Sequence, residues 1–414
     1  MSKEMSKEMS KEMSKEIYDP IHDFINVTPL MRCIIDTPEF QRLRELKQLG
    51  ATYFVFPSAT HSRFAHSLGV SHLAGKLMET LQKNQERLQI SERDIEITRI
   101  AALVHDIGHG PFSHLYDDHI RSCGEDEHEV RGCKTFRKMV TKYQLPLEPA
   151  EVEKIILMIN PDEQVKNMWS YQIVANKMCQ IDVDKLDYIR RDCYHLGIKM
   201  NNTFSRLITS ARVITTPEGS EVLGWPKKLE FNIFNLFAAR YRLHKQVYNH
   251  HAIKAHEFII VQILTKIKKS LKSSTWKLTD AAIMCGLHHQ FTELYKKLQT
   301  RQIAKLVGEI VVKLPHQSYH PADPNPRTIL DHIIQVTKIG FAGGNENPLN
   351  QVYYYTKDKQ NIGLRISPQN NSFCVPARHQ ELIVRMYSKT GSISKQHKQS
   401  WTEIKQNWLG KSTN

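Results

Sequence analysis

No stretch of this 414-residue chain approaches the ~18 uninterrupted apolar residues that a membrane-spanning helix needs. The apolar run Phe258-Ile259-Ile260-Val261 is cut short by Gln262. The N-terminus lacks the apolar core of a signal peptide. Cysteine is sparse: Cys33, Cys123, Cys133, Cys179, Cys193, Cys285 and Cys374 are scattered, odd in number and without a C-x-x-C pair. That pattern argues against a disulfide scaffold or a zinc finger and suits a reducing compartment, with the thiols as buried filler. The expectation is a soluble intracellular protein of the nucleus or cytoplasm, with no membrane partner. The glycine fingerprint of a Rossmann dinucleotide site is missing. Gly410-Lys411-Ser412 resembles the end of a phosphate-binding loop, but the earlier glycine that motif requires falls on Lys405.

What is present is an ordinary globular composition, 40% hydrophobic and 24% charged, in a chain long enough for two or three domains' worth of core. The net charge is +14, with a pI of about 9.3. A surplus of this size suits polyanionic ligands: several nucleotide polyphosphates or, as a secondary reading, weak binding of single-stranded nucleic acid. No basic run with interleaved aromatics favours the second. Residues 1–16 are four copies of Met-Ser-Lys-Glu with no face to bury, so a disordered tail is expected there.

The chemistry concentrates in Leu103-Val104-His105-Asp106-Ile107-Gly108-His109-Gly110-Pro111-Phe112-Ser113-His114. An imidazole beside a carboxylate can give one metal ion two ligands, and a charge at the end of an apolar run gains a core helix nothing. His109 follows His105 by four residues, which on a helix turns both rings to one side, and Gly108, Gly110 and Pro111 mark where that helix should stop. Alone, the pair fits a helix end with satisfied polar groups equally well. A metal site needs further ligands, and His66 upstream and Asp184 downstream, in Ile181-Asp182-Val183-Asp184-Lys185-Leu186-Asp187-Tyr188, complete an H…HD…D pattern. This pattern resembles that of the HD metal-dependent phosphohydrolases.

Elsewhere, Thr37-Pro38 reads as a helix start followed by an apolar stripe of Phe40, Leu43, Leu46 and Leu49. Ser91 with Asp94 reads as a capping box for the helix leading to His105. Asp184, Tyr188 and Asp192 share one helix side, as do Arg240, His244 and Tyr248. The runs Ile310-Val311-Val312, Ile334-Gln335-Val336 and Val352-Tyr353-Tyr354-Tyr355 read as strands of a small α+β lobe. From about Ser388 the chain is polar and basic, and a flexible tail is expected over 388–414.

Longer runs sharpen the resemblance: Asp19-Pro20-Ile21-His22, Ile35 through Arg44, Lys47-Gln48-Leu49-Gly50, His105 through His114, and Arg191-Asp192-Cys193-Tyr194-His195-Leu196-Gly197-Ile198. From about Ile17 to Tyr387 the chain resembles the SAM-and-HD-domain deoxynucleoside triphosphate triphosphohydrolases, with no SAM domain expected ahead of it. The resemblance implies a mainly α fold: an HD helical core with a helical extension over 17–308 and an α+β C-terminal lobe over 309–387. It implies hydrolysis of dNTPs to deoxynucleoside and inorganic triphosphate, with His66, His105, Asp106 and Asp184 holding a divalent transition metal (Fe, Mn or Zn) and Mg accompanying the triphosphates. His114 with Asp117 would be the general-acid pair, supported by His109 and His128. Arg63, Lys185, Tyr188 and Arg240 would grip the triphosphate. Gln48 and Asp192 would contact the sugar 3′-hydroxyl, and Leu49 and Tyr248 would crowd the 2′ position, with His244 in the same set.

The resemblance also implies GTP and dNTP activators that assemble a homotetramer, with a dimer when unliganded. Asp36, Gln41 and Arg44 match the guanine-selecting site. Val55, Phe56, Arg212, Lys228, Asn232, His250, Arg301 and Lys357 match the neighbouring deoxynucleotide site, and Lys15 and Lys305 join the activator set. Tyr18 stands where the animal pattern has Asn, and Pro226 and Gln246 stand where it has Arg; the two lost cations bear on the second activator site. Two other readings compete: a different HD enzyme, such as a nucleotidase or phosphodiesterase, and a non-catalytic basic protein that binds single-stranded nucleic acid. The first would not need the Gln48-Leu49 and Arg240-His244-Tyr248 sets. The second would tolerate a lost ligand, and all four are intact.

Overall fold

The structure, a computed structural model, describes residues 14–121, 125–200, 204–270, 275–286, 292–314, 326–329, 331–366, 376 and 378–410. The chain opens with a hairpin, β1 (Lys15–Asp19) and β2 (Asp23–Val27), then α1 (Pro29–Ile35) and α2 (Pro38–Gln41). The helical body follows: α3 (Arg63–Asn84), α4 (Glu92–Val104), α5 (His114–His119), α6 (His128–Tyr143), α7 (Pro149–Ile159), α8 (Val183–His195) and α9 (Ser205–Thr209). After β3 (Arg212–Thr215) and β4 (Glu221–Pro226) come α10 (Glu230–Leu243), α11 (His251–Ser270), α12 (Asp280–Gly286) and α13 (Thr292–Gln299). The last part holds β5 (Lys305–Lys313), β6 (Arg327–Ile329), β7 (His332–Gly340), β8 (Tyr353–Tyr355), β9 (Leu364–Arg365), β10 (Gln380–Ser388) and α14 (Lys395–Leu409). The fold is mainly α, as expected. Among the described residues no helix is long and apolar enough to cross a membrane.

Local chemistry sets the helix starts. The Ser91 hydroxyl accepts from the Asp94 amide and the Asp94 carboxylate accepts from the Ser91 amide, both at 3.1 Å, so the capping box opens α4 as its sequence predicts. The interior of α4, from Ile97 to Val104, is almost wholly buried against α3, where Phe64, Leu68, Leu73 and Leu77 meet it in the main core. α4 stops at Val104 with His105 as its cap.

The expected shared helix for His105 and His109 is therefore corrected: His109 lies beyond the helix end, in a loop. Arg42 holds this loop by donating to the carbonyls of Ile107 (3.0 Å) and His109 (2.7 Å). Gly108 lets it pass under α6, since a Cβ there would lie 2.0 Å from the carbonyl oxygen of His128.

The stripe Phe40–Leu49 is not one helix. Thr37 caps a single turn, α2, and the chain then runs through a 3₁₀ turn at Arg42–Glu45, a bend, and a second 3₁₀ turn at Gly50–Phe54. Tertiary acceptors take the amides a helix would have used: Lys47 donates to Asp280 Oδ2 (2.9 Å) and Gln48 to the His61 carbonyl (2.9 Å).

The C-terminal strands form two four-stranded sheets, ordered β5-β10-β7-β6 and β3-β4-β8-β9. In the second, β8 pairs in parallel with β4, Trp225 opposite Tyr354, so a strand expected in a separate lobe belongs to a sheet begun in the helical part. The first sheet starts at Lys305, ahead of the expected boundary at 309. Two expected tails also differ in their described parts. Lys15 and Glu16 pair with Val27 and Asn26 in the hairpin. Lys395–Leu409 is a helix capped by Ser394, with Trp401 packed over Gly308 of β5. Residues 1–13 and 411–414, which complete those two expectations, lie outside the described residues.

Candidate active site

Four ligand groups converge where α3, the end of α4 and the start of α8 meet. His66 Nε2 lies 3.0 Å from Asp184 Oδ1 and 3.7 Å from Asp106 Oδ2. His105 Nε2 lies 3.3 Å from Asp106 Oδ1 and 3.6 Å from Asp184 Oδ1. The far ring nitrogens fix which nitrogen points inward. His105 Nδ1 donates to the Ala102 carbonyl (2.7 Å), and His66 Nδ1 donates to Asp187 Oδ2 (2.8 Å).

His105 Nε2 is buried with no hydrogen-bond partner, as a ligand atom awaiting a cation is. Burial alone would strip His66 of a proton, yet Asp184 and Asp187 push its pKa up to about 10; a cation at Nε2 satisfies the same carboxylates. Asp106 and Asp184 are both held below the ordinary carboxylate range against burial, Asp106 by Arg63 and the histidines, Asp184 by His105 and His66. The donor set of two imidazoles and two carboxylates fits a divalent transition metal.

Behind this centre lies a network that sequence reasoning did not assign. Asp187, fully buried, also pairs with His22 Nε2 (2.6 Å) and Arg191 Nε (2.8 Å), and Arg191 reaches Asp19 Oδ2 (2.7 Å). Asp187 and Arg191 stand one helical turn apart on α8, but their pairing with His22 and Asp19 spans more than 160 positions, so no local periodicity links the two segments.

The centre opens into a cavity of about 710 Å³. Three histidines form one wall. His109 stacks on His128 at 3.9 Å between ring centroids, and His114 meets both edge-on at 5.0 and 5.6 Å. Enclosure, then the Arg63 guanidinium, keeps His109 well below its ordinary pKa and brings His114 to about 3. Asp117, expected beside His114, instead binds His128 Nδ1 (3.3 Å) and Arg131 (2.8 Å). It is not among the lining residues.

Arg63 donates to Asp106 Oδ2 (2.5 Å) and the Ser113 hydroxyl (2.9 Å), leaving its buried second terminal nitrogen unpartnered. Gln48, Leu49, Tyr188, Asp192, Arg240, His244 and Tyr248 line the cavity. Lys185 does not; it is buried 3.7 Å from Asp182.

The chain at Tyr248 is a π-helical turn, His244–Tyr248, continuing α10. The Tyr248 hydroxyl donates to Asp192 Oδ2 (2.5 Å), and Asp192 Oδ1 is bound by His61 Nε2 (2.7 Å), a further residue not assigned from sequence. Arg240 is steadied by the Gly340 carbonyl (2.6 Å), and Gln48 keeps a buried side-chain oxygen without a partner.

The HD-domain family signature matches residues 63–191, the span that contains His66, His105, Asp106 and Asp184. Three curated relatives are called deoxynucleoside triphosphate triphosphohydrolase SAMHD1, or a homolog of it. The human protein is 34% identical over 88% of this chain and 69% of its own length. The chicken protein is 32% identical over 88% and 70%, and that of Dictyostelium discoideum 32% identical over 90% and 77%. The chain belongs to the SAMHD1 family of HD-domain proteins.

The residues matched to activator sites fall into three groups. Asp36, Gln41 and Arg44 are neighbours: Gln41 donates to the Ile35 carbonyl and accepts from Arg44, both at 2.8 Å. Arg212, Lys228 and Lys357 line a separate cavity of about 810 Å³ together with Pro226. Val55, Phe56, His250 and Arg301 gather around the Gly50–Phe54 turn, with Phe56 on His250 at 5.8 Å and Arg301 on the Phe54 carbonyl at 3.0 Å, and none of them lines that cavity. Lys15 lies in β1, Lys305 opens β5 and Asn232 lies in α10.

Proposed function

We propose that this chain hydrolyses deoxynucleoside triphosphates to deoxynucleoside and inorganic triphosphate in the 710 Å³ cavity. The observation that carries this reading is the convergence of His66, His105, Asp106 and Asp184 at the foot of a cavity walled by Arg63, Arg240 and three histidines, in a family whose members bear that activity in their names. A divalent transition metal (Fe, Mn or Zn) held by those four residues would polarise the α-phosphate and activate water, and Mg enters with the triphosphate. The free guanidinium nitrogen of Arg63 and the charge of Arg240 neutralise the tail, with Lys185 adding positive potential from behind Tyr188. His114 delivers the proton to the leaving 5′ oxygen; its low proton affinity in the empty cavity rises when a polyanion lies beside it. Gln48 and Asp192, the latter fixed by His61, contact the sugar 3′-hydroxyl, and Tyr248, hydrogen-bonded to Asp192, presses on the 2′ carbon with Leu49. A ribose hydroxyl has no room there.

Activation by GTP at Asp36, Gln41 and Arg44, by a dNTP near Arg212, Lys228 and Lys357, and assembly of four copies complete the proposal. The 810 Å³ cavity supports the second site, because it gathers three cations around a volume suited to a nucleotide. Incubating each dNTP with Mn²⁺ or Mg²⁺, with and without GTP, tests the chemistry. Deoxynucleoside and triphosphate without diphosphate is the expected product pattern. Release of diphosphate or monophosphate would indicate a different HD enzyme. No turnover by folded, metal-loaded protein would favour a nucleic-acid-binding role. Asp36→Asn should lower the GTP response while leaving the product pattern unchanged; an unaltered response removes the guanine site from this position.

A further inference from the structure

A second histidine–aspartate cluster lies where the turn between β6 and β7 meets the first turn of α14, and none of its members lines the active-site cavity. We propose that Asp331, His332 and His397 form a divalent transition-metal site, of the kind zinc occupies, that clasps α14 to the sheet.

His332 Nδ1 lies 3.0 Å from Asp331 Oδ1, and His397 Nε2 lies 2.9 Å from Asp331 Oδ2. One ligand atom from each residue falls within 4.8 Å of the other two. The imidazoles are shielded, with 12% and 4% of their side-chain surface exposed, while the carboxylate is 47% exposed and leaves an open side for water.

Distance alone would describe a carboxylate bridging two ring N–H groups. The orientation of His397 argues otherwise. Its Nε2 is buried and makes no hydrogen bond, even though a carboxylate oxygen stands 2.9 Å away. His332 Nδ1 is hydrogen-bonded to Asp331 Oδ1, so the unpartnered ring nitrogen of the cluster is His397 Nε2; His105 Nε2 shows the same combination in the HD centre, with close carboxylates, burial and no hydrogen bond.

The far nitrogen belongs to the helix cap. The Ser394 amide donates to His397 Nδ1 (3.1 Å), with the Ser394 hydroxyl at 2.9 Å. That leaves the ring proton on Nε2, buried and without an aligned acceptor; a cation at Nε2 would displace it, with Nδ1 then donating to the hydroxyl. Two imidazoles and one carboxylate, with a fourth position for water, suit zinc-like ions rather than calcium or magnesium. A filled site would tie the chain after β10 to the turn before β7, and so fix α14 over Gly308 through Trp401.

The test uses the full chain, stripped with chelator, reloaded with zinc and desalted, with bound zinc measured by mass spectrometry. Because zinc can also enter the HD centre, the comparison is made in the His105→Ala background. We expect His105→Ala to retain one equivalent that is lost in the double variant His105→Ala/His332→Ala. His332→Ala leaves the helix cap at Ser394 intact, so the loss cannot come from unfolding of α14. In the chain with an unmodified HD centre, zinc should slow amide hydrogen exchange across 395–409, and His332→Ala should abolish that slowing without changing dNTP turnover. Equal zinc content with and without His332, or exchange across α14 indifferent to zinc, would overturn the proposal. Neither readout depends on the catalytic reading being right.

Discussion

The HD centre and the Asp331–His332–His397 cluster use the same side-chain types but differ in what stands behind them. In the HD centre each imidazole is tethered at its far nitrogen, one to the Ala102 carbonyl and one to Asp187, and Asp187 is locked by His22 and Arg191. In the second cluster Ser394, through its amide and hydroxyl, is the tether for His397, and the carboxylate is half exposed. A pre-oriented ligand loses little freedom on binding, so supporting residues set how tightly and how reproducibly an ion is held. The first arrangement is suited to chemistry that tolerates no displacement of the ion. The second is suited to holding two segments together.

The largest effect should come from removing a ligand of the HD centre. His105→Ala or Asp106→Asn is expected to abolish dNTP turnover in the product assay, and full activity in either variant would sink the metal assignment. Next, Asp187→Asn leaves all four ligands in place but loosens His66. Metal affinity should fall by ~10- to 100-fold in a Mn²⁺ titration. The same change strips the buried Arg191 of one carboxylate, so thermal unfolding should show a loss of about 3–5 kcal/mol. Unchanged affinity would mean that burial alone, without the tether, orients His66.

Ser394→Ala is the matching change at the second cluster, where zinc binding should weaken by less than about tenfold with HD-site metal untouched. Equal losses at the two sites would erase the contrast drawn between them.

The smallest effect belongs to the remote end of α4. Asp94→Asn should cost ~1 kcal/mol through the weakened capping box and leave metal affinity unaltered. Against burial, Lys154 and Ser91 hold the Asp94 carboxylate below its ordinary value of 3.8. A depressed carboxylate stabilises the fold above its unfolded pKa, and that contribution disappears as pH falls through the lower folded value. The gap between wild type and Asp94→Asn in denaturation experiments should therefore close in acid.

Much of the catalytic centre was readable because its ligands sit in short, chemically odd stretches. His105-Asp106 ends an apolar run, and Asp184, Tyr188 and Asp192 repeat at helical spacing on α8. The Ser91–Asp94 capping box and the strands at Ile310-Val311-Val312, Ile334-Gln335-Val336 and Tyr353-Tyr354-Tyr355 were legible for the same reason, since each depends on a few neighbouring residues. The helix expected through Leu49 was not, because the amides of Lys47 and Gln48 find partners at Asp280 and His61, far along the chain. The ordered helix at 395–409 was hidden by its polar, basic composition; its docking rests on a few contacts such as Trp401 over Gly308.

The sequence by itself determined the mainly α class and the family, and it singled out His66, His105, Asp106 and Asp184, since these depend on residue identity and short-range spacing. Tertiary structure alone decided which nitrogen each imidazole presents, that Asp117 serves His128 rather than His114, and that Asp187, His22 and Arg191 stand behind His66. It also brought Asp331 and His332 to His397. Those outcomes are set by distances between segments that the chain's order does not encode, and by the need of each buried polar atom to find a partner once water is gone.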